Sequence, residues 1–314
     1  MGTPAFAAES LSAILDAGHD VAAVVTRPDA RAGRGRRLQP PPVKVVGFAR
    51  GVPVLQPAEV ASQAFLDMMA ALRPDILVVV AFGRILGQPL LDLAPGGAIN
   101  VHASLLPKLR GASPIVWAIA RGESETGVTT MKMVRQLDAG AILLQRATPI
   151  GPEETAGALE GRLARLGAGL LVETLADLAA GRVEEQPQDE RLVTWAPMLK
   201  KSDGLVDWSL GAAQIARHVR AFDPWPGAWT TLSGAALRIW KARDAGETKV
   251  ADPAGRIVSA RGGADGREAV VLVACGGGTA LQVSELQPEG RRRMTAAQAL
   301  SGRYLKEGDQ LGGG

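Results

Sequence analysis

Asn100, His102 and Asp138 have the side-chain types and spacing to stabilise an oxyanion and move a proton. An amide can donate N–H to a developing oxyanion. An imidazole gives or takes a proton near neutral pH, and a carboxylate can orient that imidazole. Asn100 and His102 flank Val101 at the end of the apolar run 98–101, which reads as a strand. Alternation therefore puts both side chains on one face. Ser104-Leu105-Leu106-Pro107 cannot continue a strand, so the chain leaves the sheet just beyond the pair. Open α/β sheets hold their ligand crevices at that end of the strands. Asp138 lies in Gln136-Leu137-Asp138-Ala139-Gly140, a turn sequence between two strand-like runs. A hairpin returning beside the 98–101 strand would carry it into the same crevice. Taken singly, Asn-x-His also describes a structural histidine beside a turn-forming Asn, and Asp138 a loop carboxylate.

The elements that would position these groups alternate. Residues 6–17 read as an amphipathic helix closed by Gly18, and 20–26 as a buried strand. Residues 52–55 follow as a strand, 61–72 as a helix, 75–82 as the strongest buried strand and 85–93 as a helix. Strands and helices alternating in this way predict an α/β fold with a doubly wound, mostly parallel sheet. No G-x-G-x-x-G follows any of the strands, so a dinucleotide cofactor is not supported. Beyond them come a helix at 115–121, strands at 126–134 and 141–149, and a long helix at 155–180. After a helix at 209–222, five short strands at 228–232, 236–241, 256–260, 269–274 and 281–286 suggest a smaller C-terminal β-barrel of the oligonucleotide-binding (OB-like) type. The domains read as 1–183, a linker at 184–204, and 205–314.

A length of 314 residues fits two domains, and 46% hydrophobic with 21% charged residues is ordinary for a globular protein. The single cysteine, Cys275, excludes an internal disulfide framework. It lies in an apolar run and reads as a buried thiol. No His/Cys cluster has metal-ligand spacing, so no metal is expected. Neither a secretory signal nor an apolar membrane span is legible. A net charge of +3 names no nucleic-acid partner by itself. Its distribution says more: Arg27, Arg31, Arg34, Arg36, Arg37 and Lys44 crowd into 27–44, where only Asp29 opposes them and Gly and Pro forbid regular structure. That stretch reads as a solvated loop or as an electropositive arm for phosphates. Arg291-Arg292-Arg293 carries the same two readings.

With these residues laid out, the chain resembles the methionyl-tRNA formyltransferase family along nearly its whole length. The matching words are Gly2-Thr3-Pro4-Ala5-Phe6-Ala7, Pro28-Asp29 with Ala32-Gly33-Arg34-Gly35, and Pro41-Pro42-Val43-Lys44. They continue with Asn100-Val101-His102-Ala103-Ser104-Leu105-Leu106-Pro107, Arg110-Gly111-Ala112 and Leu137-Asp138-Ala139-Gly140. Asp207-Trp208-Ser209 and the run 220–226 match the second domain. Asn-x-His, Ser-Leu-Leu-Pro and a downstream Asp also fit other folate-dependent formyltransferases, whereas the arginine-rich loop and Pro-Trp-Pro point to the tRNA enzyme.

The resemblance implies formyl transfer from 10-formyltetrahydrofolate, as co-substrate, to the amine of methionyl initiator tRNA in translation initiation. It implies Asn100, His102 and Asp138 as catalytic residues and Ser104, Leu105, Leu106 and Pro107 as folate contacts. Arg34, Arg36, Arg37, Lys200 and Lys201 would contact tRNA, with the barrel holding the tRNA body. A cytoplasmic monomer is expected. At one place the chain departs from the family pattern: an apolar strand runs into Gly-Thr-Pro in family members, whereas Met1 directly precedes Gly2 here. The expectation is a start upstream of Met1, with neighbouring strands short of ladder partners in this form. A chain extended by that strand should melt higher.

Overall fold

The computed structural model describes residues 1–32, 37–246, 248–262 and 269–312. The chain divides into two compact units: Met1–Pro114 with Glu125–Pro149 and Leu159–Pro197, and Ile115–Ser124 with Ile150–Ala158 and Met198–Gly314. In chain order the first elements are α1 (Ala5–Asp16), β1 (Val24–Val25), β2 (Ala30–Ala32), β3 (Arg37–Gln39), α2 (Pro42–Ala49) and β4 (Val54–Leu55). Next come α3 (Gln63–Ala71), β5 (Leu77–Val79), α4 (Gln88–Leu91), β6 (Ala98–His102), α5 (Pro114–Arg121), β7 (Glu125–Lys132), β8 (Ile142–Pro149) and α6 (Ala156–Ala179). The remainder holds α7 (Ala212–Ala221), β9 (Ala228–Leu232), β10 (Ala235–Asp244), β11 (Ile257–Arg261), β12 (Val270–Cys275), β13 (Thr279–Pro288), β14 (Met294–Thr295) and α8 (Ala296–Ser301).

In the first unit β5 pairs parallel with β6, while β6–β7 and β7–β8 are antiparallel, in the order β5-β6-β7-β8. The sheet is thus mixed, which corrects the mostly parallel expectation. β7 and β8 are joined by a short turn, and a connection that short can only return the chain antiparallel. Register sets the faces: Val101 stands opposite Thr130, and His102 opposite Thr129. α6 covers the Val101 face. A Cβ on Gly167 would stand 3.0 Å from Val101, and Thr174 Oγ1 meets Thr130 Oγ1 at 2.8 Å. The Asn100/His102 face is left to loops.

β1 pairs parallel with β4 in a separate two-stranded sheet. Between β1 and β5 run only Met1 and Gly2, whose backbone bonds reach Val25 O and the Val80 N–H at 2.9 Å each. A cavity of about 540 Å³ opens beside them, lined by Val24, Val25, Leu77, Val78 and Leu11 among others, and by none of Asn100, His102 or Asp138. The arginine-rich stretch is more regular than its composition predicts. β2 and β3 pair antiparallel, α2 begins at Pro42, and Lys44 Nζ bonds both Asp29 oxygens at 2.8 and 2.9 Å. Proline at a first helical turn lacks a donor that would be unpaired anyway.

The second unit carries a six-stranded sheet ordered β11-β12-β13-β10-β9, with β14 on β13. Ile215 and Val219 of α7 join Leu237, Ile239, Val273 and Leu281 in its core. Each such burial contributes about 1.5–3 kcal/mol. No sheet is closed among the described residues, so the expected barrel is not present as one continuous ladder. The segment 308–312 instead bonds both edges: Gly308 N–H to Ile257 O at 2.8 Å and Gly312 N–H to Thr231 O at 2.9 Å.

Candidate active site

β6 delivers Asn100 and His102 to its open face two residues apart, as strand alternation requires. The 103–111 loop then folds back over that face. Thr129 Oγ1 donates to Ser104 O at 2.7 Å and accepts from the Leu106 N–H at 3.2 Å. Gln145, its cross-strand neighbour on β8, donates to Leu106 O at 2.7 Å and to Thr129 Oγ1 at 2.9 Å. Leu106 packs into a small cluster with Met131 and Ile142. These anchors bring Leu109 back to His102.

The imidazole Nε2 lies 3.0 Å from Leu109 O. A carbonyl oxygen only accepts, so that contact assigns the proton of the neutral ring to Nε2 and leaves Nδ1 with its lone pair. Nδ1 faces Asp138 Oδ2 at 3.8 Å, both side chains being nine-tenths buried or nearly so. Asp138 occupies the β7–β8 turn at φ +50°, and its Oδ2 also accepts the Gly111 N–H at 2.8 Å. The Asn100 amide makes no hydrogen bond among the described residues and keeps some exposure. The face thus presents a free donor, a nitrogen able to take a proton, and a carboxylate able to stabilise the resulting imidazolium.

Residues 1–175 match the family model described as formyl transferase, and 198–304 match its C-terminal domain. A methionyl-tRNA formyltransferase of Geobacter sulfurreducens is 48% identical over 99% of this chain and 95% of its own length. One from Moorella thermoacetica is 48% identical over 99% of this chain and 98% of its own. The chain belongs to the methionyl-tRNA formyltransferase family. Its fold is shared more widely. An N-formyltransferase from Helicobacter canadensis, solved with folinic acid and dTDP-3-aminofucose, superposes with a TM-score of 0.64 at 17% identity, covering 90% of this chain and 96% of that one.

Against the formyltransferase expectations, the fold brings Asn100, His102 and Asp138 to one face, while the loop residues divide. Ser104 and Leu106 are buried, Ser104 Oγ bonding Lys108 O at 2.6 Å, whereas Leu105 and Pro107 keep partial exposure. Arg37 is exposed on β3, and Lys200 and Lys201 are exposed at a single helical turn, 201–204. Arg34 and Arg36 lie outside the described residues. Among the described residues no cluster of three or more His, Cys, Asp or Glu could hold a metal ion, and no helix is long and apolar enough to cross a membrane. Sequence reasoning missed Arg110, Gln188 and Thr194. Arg110 is fully buried, and Thr194 Oγ1 accepts the Leu109 N–H at 2.8 Å. The one available signal was an arginine standing between Leu109 and Gly111, in a loop too tight to solvate it.

Proposed function

We infer that His102 and Asp138 move the proton, and Asn100 holds the oxyanion, in transfer of a formyl group from 10-formyltetrahydrofolate to the amine of methionyl initiator tRNA. The amine nitrogen attacks the formyl carbon, and the bond from that carbon to the folate nitrogen breaks. One proton leaves the amine and one is gained by the folate nitrogen. His102 Nδ1 takes the first and can return it as the second, with Asp138 stabilising the imidazolium between. The Asn100 amide donates to the carbonyl oxygen as negative charge develops there. The observation that carries this reading is the Nε2 contact with Leu109 O, which leaves Nδ1 free beside a carboxylate.

Leu105 and Pro107, partly exposed beside the reacting face, bound the folate site, while buried Ser104 and Leu106 fix the loop's shape. Arg37, Lys200 and Lys201 contact tRNA phosphates together with Arg34 and Arg36, supported for the first three by their exposure. The C-terminal unit is OB-like and binds the tRNA body. Support comes from segment 308–312, which bonds both edge strands. The protein acts in the cytoplasm as a monomer, a location its tRNA substrate supports.

The test is formation of formylmethionyl-tRNA by the wild type beside His102→Ala and Asn100→Ala, with elongator tRNA as control. Transfer should be selective for initiator tRNA and fall about 10²- to 10³-fold in each variant. Wild-type rates in His102→Ala would overturn the proton path. Transfer to small amines alone would overturn the substrate.

A further inference from the structure

We propose that Arg110 and Gln188 are positioning residues that clamp the Asp138 turn against His102. The proposal rests on the reading of His102 and Asp138 as the proton-moving pair. Arg110 is fully buried, an expensive place for a guanidinium unless its donors are met. Its Nε and Nη2 donate to Gln188 Oε1 at 3.0 and 2.8 Å, and its Nη1 and Nη2 to the Glu190 carboxylate at 3.2 and 2.8 Å. Since a guanidinium can only donate, Gln188 must turn its oxygen toward Arg110. Its amide nitrogen then points the other way and donates to Asp138 O and Gly140 O, both at 2.8 Å.

Those carbonyls belong to the turn that holds Asp138 at φ +50°, a conformation a residue with a Cβ keeps only when its surroundings enforce it. The turn has no slack on its other side, since a Cβ on Gly140 would collide with Lys132 O. Arg110 therefore reaches Asp138 twice. Its neighbour Gly111 holds the carboxylate by an N–H, and its own side chain holds the backbone through Gln188. Its other neighbour, Leu109, supplies the carbonyl that sets the His102 tautomer. Three consecutive residues thus fix both members of the pair. The clamp also exceeds what a surface ion pair needs: Glu190 alone, two-thirds exposed, would have answered the charge.

Gln188→Glu isolates the link, because a carboxylate still accepts from Arg110 but cannot donate to the turn. Gln188→Leu removes both contacts at similar volume. Each is measured in the full chain for melting temperature, kcat, KM and the pH profile of kcat, beside Asp138→Asn. A displaced turn predicts kcat lowered about 10- to 100-fold, KM for tRNA and folate nearly unchanged, and a pH profile altered in the same sense as in Asp138→Asn. Wild-type kcat and pH profile in folded Gln188→Glu and Gln188→Leu, with Asp138→Asn impaired, would overturn the clamp and leave the proton path standing. A fully active Asp138→Asn would overturn the underlying reading, and the clamp's function with it.

Discussion

Asp138 Oδ2 stands 3.8 Å from His102 Nδ1 and 2.8 Å from the Gly111 nitrogen, so a single carboxylate oxygen serves an imidazole and a backbone donor together. The Gly111 bond is the shorter and better directed, and it anchors the oxygen. The imidazole stands off at a distance that gains most from charge, when the ring is protonated. A carboxylate so placed has little to give the neutral ring.

That division separates charge from shape in Asp138→Asn. The amide oxygen still accepts from Gly111, so the turn stays in place, while the charge facing Nδ1 is gone. Formyl transfer should fall about 10²-fold or more, in the range that a positioned base or acid supplies. The melting temperature should stay close to that of the wild type. A large fall in melting temperature would mean that the carboxylate's role is structural.

The tautomer can be read without substrate. In ¹⁵N-labelled protein the neutral His102 ring should show a protonated Nε2 and a bare Nδ1, because Leu109 O lies 3.0 Å from Nε2. The opposite tautomer would remove Nδ1 from the proton path.

Gly111→Ala should uncouple the site. Gly111 has φ +121°, where side chains are rarely tolerated, and an added Cβ would lie 2.5 Å from Ala196 O. Local strain there should cost about 1–3 kcal/mol of unfolding free energy in a denaturant titration. The N–H that holds Asp138 would shift as well, so kcat should fall beyond what the loss of folded protein explains.

His218 makes the second unit sensitive to acid. Burial holds its ionisation below the usual 6.5, with the Gly204 backbone and Asp203 opposing more weakly, and its Nε2 is buried without a hydrogen-bond partner. The unfolded chain therefore binds a proton that the folded ring refuses. Stability is fully present above pH 6.5 and declines as pH falls below it, by at most about 1.4 kcal/mol per pH unit. Unfolding followed at pH 7.5 and 5.5 should show that loss, and His218→Asn should flatten it.

Cys275 should be silent. Burial pushes its thiol up to about 11. As the single cysteine it should resist an aromatic disulfide reagent at pH 8 and release one equivalent on unfolding. Rapid labelling of folded protein would show the β12 end opening.

The gathering of Asn100, His102 and Asp138 on one face was legible because each member rests on a local rule. Strand alternation pairs Asn100 with His102, and Asp-Ala-Gly announces the turn that carries Asp138. The clamp was illegible because Gln188 lies 78 residues from Arg110, and Thr194 lies 85 from Leu109, with no pattern of types linking them. Pairing direction was misread for a related reason. Buried runs such as 126–131 look alike whether their neighbours run parallel or not. The β2–β3 ribbon escaped notice because β3 is exposed on every residue, so no apolar alternation marked it.

Arg110 exchanges backbone bonds with segment 194–196: its N–H donates to Thr194 O at 2.9 Å and its carbonyl accepts from the Ala196 N–H at 2.7 Å. A ribosome that has released only residues 1–187 therefore carries a nascent chain with Asn100, His102 and Asp138 already made, but with neither Gln188 nor Thr194 to fasten them. The proposed site is fastened only once residues 188–196 have followed Asp138, the last of its three groups, out of the ribosome.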